Sequence, residues 1–196
     1  MKDLIRKIIK EVSVEKKERM GRGSFHDVYP LKYDSSKVIK VPRRVSDYAA
    51  AEYWEAGPDA WFNIFKKYPQ YFPEVYKITN KYIVLEKLDT NRVKQDLIKM
   101  EDDLVSISST LSDMIENKNY DVTDVLDKLV LGKLINIRED IKTLDMLIKK
   151  SHNKDLFKRY IDLLSAIRSE RIRDFIDVND GNFGYNKEGE LKMLDI

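Results

Sequence analysis

The chain has 196 residues, 42% apolar and 36% charged, which is the composition of a globular protein and excludes a disordered one. Its 36 Lys and Arg against 34 Asp and Glu leave a net charge of only +2, too balanced for a general nucleic-acid binder, so no nucleic-acid partner is expected. The absence of cysteine excludes disulfides and thiolate zinc sites, and two isolated histidines, His26 and His152, exclude a histidine-rich metal cluster.

No apolar run approaches the roughly 18 residues of a membrane-spanning helix. The charged N-terminus has no signal-peptide core. A soluble, cytoplasmic protein with no membrane partner is therefore expected.

In chain order, Leu4, Ile5, Ile8, Ile9 and Val12 recur at helical spacing and predict a short leading helix. Phe25–Leu31 and Lys37–Val41 read as strands, with Tyr33–Ser36 as the turn between them. Val45 to Tyr68 reads as helix, interrupted at Gly57-Pro58, where Pro58 suits a first helical position. Val75–Ile78 and Tyr82–Glu86 are short β-type runs joined by Thr79-Asn80-Lys81, a hairpin signal.

From Asn91 to Glu170 the apolar residues follow a helical period in three runs, Val93–Ile115, Val125–Leu147 and Leu156–Ile167. These predict three packed helices. From Phe175 onward the pattern is a loop, a short strand, a turn at Asn186–Gly189 and a final strand at Leu191–Leu194. Two parts of unlike character, 1–88 and 89–196, suggest a ligand cleft between them.

Four features bear on chemistry. Gly21-Arg-Gly23-Ser24-Phe25 places two glycines one residue apart, where backbone N–H groups can approach phosphate oxygens without a Cβ in the way. Lys40 lies inside the apolar strand Val38-Ile-Lys-Val, where an ammonium needs a partner such as a phosphate or carboxylate. Asp177 and Asn182 lie five apart in a glycine-containing loop, one suited to accept a hydroxyl proton and the other to ligate Mg²⁺. Asp195 ends the apolar run Met193-Leu194 with another hard oxygen ligand.

Each feature alone has an ordinary reading: a glycine turn, an outward-facing strand lysine, an Asp/Asn/Gly turn and a solvated terminal carboxylate.

Taken in order, the four features and the Tyr82–Leu88 run resemble the protein-kinase-like superfamily. The resemblance covers Arg19 to the end, although Asn91–Glu170 carries no motif. It implies an α+β, bilobal fold with a β-rich N-lobe at 1–88 and a reduced, mainly helical C-lobe at 89–196. It implies an enzyme, an ATP- and Mg²⁺- (or Mn²⁺-) dependent phosphotransferase.

By that match Gly21, Gly23, Ser24, Phe25 and Val28 cover the nucleotide, and Lys40 holds the α/β-phosphates. Glu52 or Glu55, three apart on one helical face, pairs with Lys40. Leu85 is the gatekeeper, and the backbone around Glu86–Leu88 holds adenine. Asp177 orients the attacking hydroxyl, and Asn182 and Asp195 bind the metal.

The sequence departs from the family pattern at several points. His26 stands where a third glycine is usual, Phe175 where a histidine usually precedes the catalytic aspartate, and Asn179 where a lysine or histidine is common. Ile196 follows Asp195 in place of Phe-Gly, which leaves no activation segment in this sequence. Helices between hinge and catalytic loop resemble aminoglycoside- and choline-kinase-like enzymes, and short kinase-like proteins of bacteria and their phages share such reduction. The expected acceptor is a hydroxyl, on a protein Ser/Thr rather than a small molecule. The alternative is a pseudokinase, a nucleotide-binding interaction module without phosphotransfer.

Overall fold

The structure is a computed structural model describing residues 20–22, 26–42, 64–79, 82–118, 120–131, 144–170 and 178–194. The expected leading helix, most of the expected helix at 45–68, and Gly23, Ser24, Phe25, Glu52, Glu55, Asp177 and Asp195 lie outside the described residues. The chain divides into two compact units, Met1–Lys87 and Leu88–Ile196.

The first unit is built on a five-stranded antiparallel sheet. Its strands are β1 (Gly21–Arg22), β2 (His26–Leu31), β3 (Asp34–Pro42), β4 (Val75–Ile78) and β5 (Ile83–Glu86), ordered β1-β2-β3-β5-β4. Consecutive apolar, mostly β-branched residues, Val38-Ile39 in β3 and Ile83-Val84-Leu85 in β5, suit strands buried on both faces. Ile39, Val41, Tyr82 and Val84 form one buried face, with Tyr29 and Leu31 packed against it. The turn between β2 and β3 falls at Lys32-Tyr33, two residues earlier than its composition predicts. Asp34 and Ser36, expected in that turn, instead open β3. The Asp34 carboxylate accepts from the Ser36 N–H at 3.1 Å and hydroxyl at 2.5 Å, satisfying locally the groups that would otherwise favour a turn.

The β4–β5 hairpin forms as expected. Its turn is tied by Thr79, whose N–H and hydroxyl both donate to the Tyr82 carbonyl.

The second unit contains α1 (Thr90–Ile107), α2 (Ser109–Lys118), α3 (Val122–Val130), α4 (Leu144–Lys150) and α5 (Lys154–Ser169). A 3₁₀ turn at Asp180–Asn182 follows, then the hairpin β6 (Phe183–Tyr185) and β7 (Leu191–Met193). The first apolar run, expected as one helix, is two. Ser108 adopts an extended conformation between α1 and α2. Four Ser and Thr residues cluster within 106–110, and the Ser106 hydroxyl donates to the Asp103 carbonyl. Such side chains compete with the helical ladder, so apolar periodicity persists across a backbone break. The ends of the second run are α3 and α4, with 132–143 outside the described residues.

Met100, Leu104, Val125, Phe157, Leu164 and Phe183 are fully buried in this unit's core. Tyr160 and Phe183 meet ring to ring with centroids 5.6 Å apart. Among the described residues no helix is long and apolar enough to cross a membrane.

Candidate functional site

In the first unit, three predicted site residues fall on a single line across the sheet. Gly21 lies opposite Val28, Val28 opposite Lys40, Lys40 opposite Ile83, and Ile83 opposite Ile78. Directly opposed residues of antiparallel strands share a face. Val28, Lys40 and Ile83 therefore project on the same side, opposite to the Ile39–Val84 cluster. Lys40 is only 7% exposed, so the ordinary reading of an outward-facing lysine is wrong. Its nearest strand neighbours on that face, Val38, Ile83 and Leu85, are buried as well. A lysine is kept in such surroundings only where its ammonium finds compensating charge or acceptors.

At the end of β5 the backbone is partly committed. The Glu86 N–H donates to the Glu74 carbonyl at 2.9 Å, and the Lys87 N–H to the Ser36 carbonyl at 2.8 Å. Neither N–H is offered to a ligand. Leu88 begins the second unit.

In the second unit, the loop holding Asn182 is built by side chains as much as by backbone. Asn179 caps the 3₁₀ turn by accepting from the Gly181 N–H at 3.0 Å, and its carbonyl accepts from the Asn182 N–H at 3.0 Å. The Asn182 carbonyl accepts from the Leu194 N–H at 2.7 Å, extending the β6–β7 ladder by one step. Asn182 is thereby fixed beside the residue that precedes Asp195 in sequence.

In the sequence Asp180 reads as an ordinary turn residue. Its carboxylate accepts two hydrogen bonds from Thr123, from the N–H at 3.0 Å and the hydroxyl at 2.8 Å. Thr123 is fully buried near the start of α3. Burial pushes the Asp180 carboxyl up, the Thr123 hydrogen bonds pull it down, and the Asp121 charge raises it again, with a net upward shift. A cavity of about 270 Å³ lined by Glu101, Ile115, Tyr120, Asp121, Val122 and Asp180 adjoins this loop.

The hairpin beneath the loop is tied to α1. Asp89 and Tyr185 exchange backbone hydrogen bonds at 2.7 and 3.1 Å, while the Asp89 carboxylate caps α1 by accepting from Asn91 and Arg92 N–H groups. The Tyr185 hydroxyl donates to buried Asp96 at 2.7 Å, and the Arg92 guanidinium lies 4.1 Å above the Tyr185 ring. Burial and the Asp96 carboxylate push the Tyr185 phenol up to about 12.

Sequence reasoning missed Thr123 and Asp180. Asp180 carried a faint signal, a second acidic residue inside the Asp177–Asn182 loop, but its partner lies 57 positions away. Among the described residues no group of three or more His, Asp or Glu is arranged to hold a metal ion.

No protein-family model matches the chain, and no curated protein matches it by sequence. By structure the chain is similar to solved aminoglycoside phosphotransferases. A ternary complex of APH(2″)-IIa with streptomycin and ATP matches over 98% of this chain and 72% of its own, at 16% identity and a TM-score of 0.35. The ADP-bound aminoglycoside phosphotransferase APH(2″)-Ib matches over 98% and 72%, at 13% identity and a TM-score of 0.34. A gentamicin complex of APH(2″)-IIa matches over 98% and 68%, at 17% identity and a TM-score of 0.37. The α+β assignment rests on the element order itself, an antiparallel sheet followed by helices and a short hairpin.

Proposed function

We propose that the protein is an ATP- and Mg²⁺-dependent phosphotransferase that carries the γ-phosphate to a hydroxyl group. The observation that carries this reading is the row Gly21–Val28–Lys40–Ile83, which aligns the glycine-rich strand with a buried lysine on one sheet face. An ammonium held among apolar side chains is a strong fixed charge for phosphate oxygens, because little water screens it.

In this reading Gly21, Gly23, Ser24, Phe25 and Val28 cover the nucleotide, and Lys40 holds the α/β-phosphates with Glu52 or Glu55 as its carboxylate partner. The Glu86 carbonyl and Leu88 N–H face adenine, since the Glu86 and Lys87 N–H groups are used within the sheet.

The donor set suits Mg²⁺ (or Mn²⁺), which prefers hard oxygen ligands. Asn182 would supply an amide oxygen and Asp195 a carboxylate, and the hydrogen bond between Asn182 and Leu194 supports their pairing. When bound, the metal neutralises charge on the phosphates. Asp177 orients the acceptor hydroxyl and takes its proton. The acceptor class is a protein Ser/Thr, as the sequence reading favours, or a small-molecule hydroxyl.

The test uses γ-labelled ATP with Mg²⁺ or Mn²⁺, offered a host lysate in one arm and a panel of small polyols and amino sugars in the other. Label transfer that disappears in Asp177→Ala supports the reading, and the arm that takes label names the acceptor class. ATP-dependent thermal stabilisation without transfer in either arm would leave a nucleotide-binding module instead.

A further inference from the structure

We propose that Thr123 and Asp180 are positioning residues that clamp the Asn179–Asn182 turn to the start of α3 and thereby fix the orientation of Asn182. The inference rests on the phosphotransferase reading for its functional meaning and on geometry alone for the clamp itself.

The clamp joins two elements 57 positions apart through one carboxylate and two donors on a fully buried residue. A second strand of the same tie runs the other way, as the Asp180 N–H donates to the Asp121 carboxylate at 3.4 Å. Within the turn, Asn179 holds Gly181 and Asn182 in place, and a Cβ at Gly181 would lie 3.1 Å from the Asn179 Oδ1. The turn is thus closed internally by Asn179 and anchored externally by Asp180.

Asn182 follows Asp180 by two residues, and its main chain is tied to Asn179 on one side and to Leu194 of the hairpin on the other. Loss of the Asp180 carboxylate would leave the turn attached to the hairpin and loosen its tie to α3, where the longer 3.4 Å bond from the Asp180 N–H to Asp121 remains. This gives the helical segment between hinge and loop a role that its sequence, which carries no motif, did not suggest: α3 supplies the fixed end of the clamp. A carboxylate bonded by both a main-chain N–H and a hydroxyl from one residue has little rotational freedom, which suits precise placement of a neighbouring ligand group.

Amide hydrogen exchange on the full chain tests the clamp without any ligand. In Asp180→Ala, the Asn182 and Leu194 amides are expected to exchange roughly tenfold faster while the amides of α5 keep their protection. Thr123→Val is expected to show a smaller change in the same direction, and Thr123→Ser, which keeps the hydroxyl, to restore wild-type exchange. Unchanged exchange at Asn182 and Leu194 in Asp180→Ala overturns the proposal, as does equal loss of protection throughout α5.

The functional consequence is read from a Mg²⁺ titration of the ATP-induced thermal shift. Thr123→Val is expected to need several-fold more Mg²⁺ than wild type or Thr123→Ser. A wild-type protein with no response to ATP would overturn the phosphotransferase reading, and the exchange result would still decide the clamp.

Discussion

Gly184 and Leu88 approach so closely that a Cβ on Gly184 would lie 2.5 Å from the Cβ of Leu88. The contact joins the first residue of the second unit to the middle of β6. Because the clashing atom is attached directly to backbone, no rotamer change relieves it. Gly184→Ala is expected to destabilise the protein by about 1–3 kcal/mol in urea unfolding. Adding Leu88→Ala should bring no recovery, since alanine keeps the offending Cβ. A double variant more stable than Gly184→Ala would show that the backbone has room to part.

Lys40 offers a cleaner separation of function from fold. Methionine has a similar length and no charge, and it suits the face formed by Val38, Ile83 and Leu85. Lys40→Met is expected to remain folded by circular dichroism. It should lose the ATP-induced stabilisation, which for wild type amounts to about 2.7 kcal/mol at a hundredfold excess of ligand over Kd. Retention of that shift in Lys40→Met would remove the lysine from the nucleotide site.

The Asp127–Arg168 pair joins α3 to α5 through two parallel hydrogen bonds, Nε to Oδ1 at 2.8 Å and a terminal guanidinium nitrogen to Oδ2 at 2.6 Å. Both side chains are largely buried. Asp127→Ala removes the carboxylate that accepts both of these bonds and is expected to cost about 3–5 kcal/mol. Asp127→Leu combined with Arg168→Met, which removes both charges, should return to within about 1 kcal/mol of wild type. Thermal melts of wild type and these two variants give the answer.

Asp103 governs the acid limb of stability in the second unit. Burial alone would raise its carboxyl, but hydrogen bonds from the Ser151 hydroxyl and from the Asn153 backbone and side chain outweigh burial, with His152 Nδ1 3.0 Å away. The carboxyl is held well below its ordinary range. A group depressed in the folded state contributes stability that is fully present above its unfolded value, near about 3.9, and that is lost as pH falls through the folded value. Asp103→Asn should therefore lower stability at pH 7 by about 1.5–3 kcal/mol. The gap from wild type should begin to close only below about pH 4. A gap that closes already between pH 7 and pH 5 would show that the Asp103 carboxyl is not held below its ordinary range.

What could be read from the sequence was local. Short runs of apolar, mostly β-branched residues marked β3 and β5, the Thr79–Lys81 turn marked the β4–β5 hairpin, and helical periodicity marked α1 and α5. Where competing short-range bonds decided the backbone, the reading slipped: Ser106 and its neighbours break a run that periodicity treats as continuous, and Asp34 draws Ser36 into β3 rather than into a turn.

The candidate site divided along the same line. Lys40 was legible as a motif position, but its burial depends on Val28 and Ile83 from other strands. Asp180 and Thr123 were illegible because each is an unremarkable residue until the fold brings them within 2.8 Å.

The bond between Asp89 and Tyr185 has a kinetic meaning. Asp89 caps α1 at the start of the unit, while Tyr185 belongs to the hairpin near its other end. Contacts between distant chain positions carry the loop-closure entropy of everything between them. Helices α1 and α5 are built from local bonds, whereas the Asp89–Tyr185 pairing that docks the β6–β7 hairpin closes a loop of nearly the whole unit. The loop that holds Asn182 directly precedes β6, so placing this candidate metal ligand carries the same loop-closure cost as docking the hairpin on Asp89.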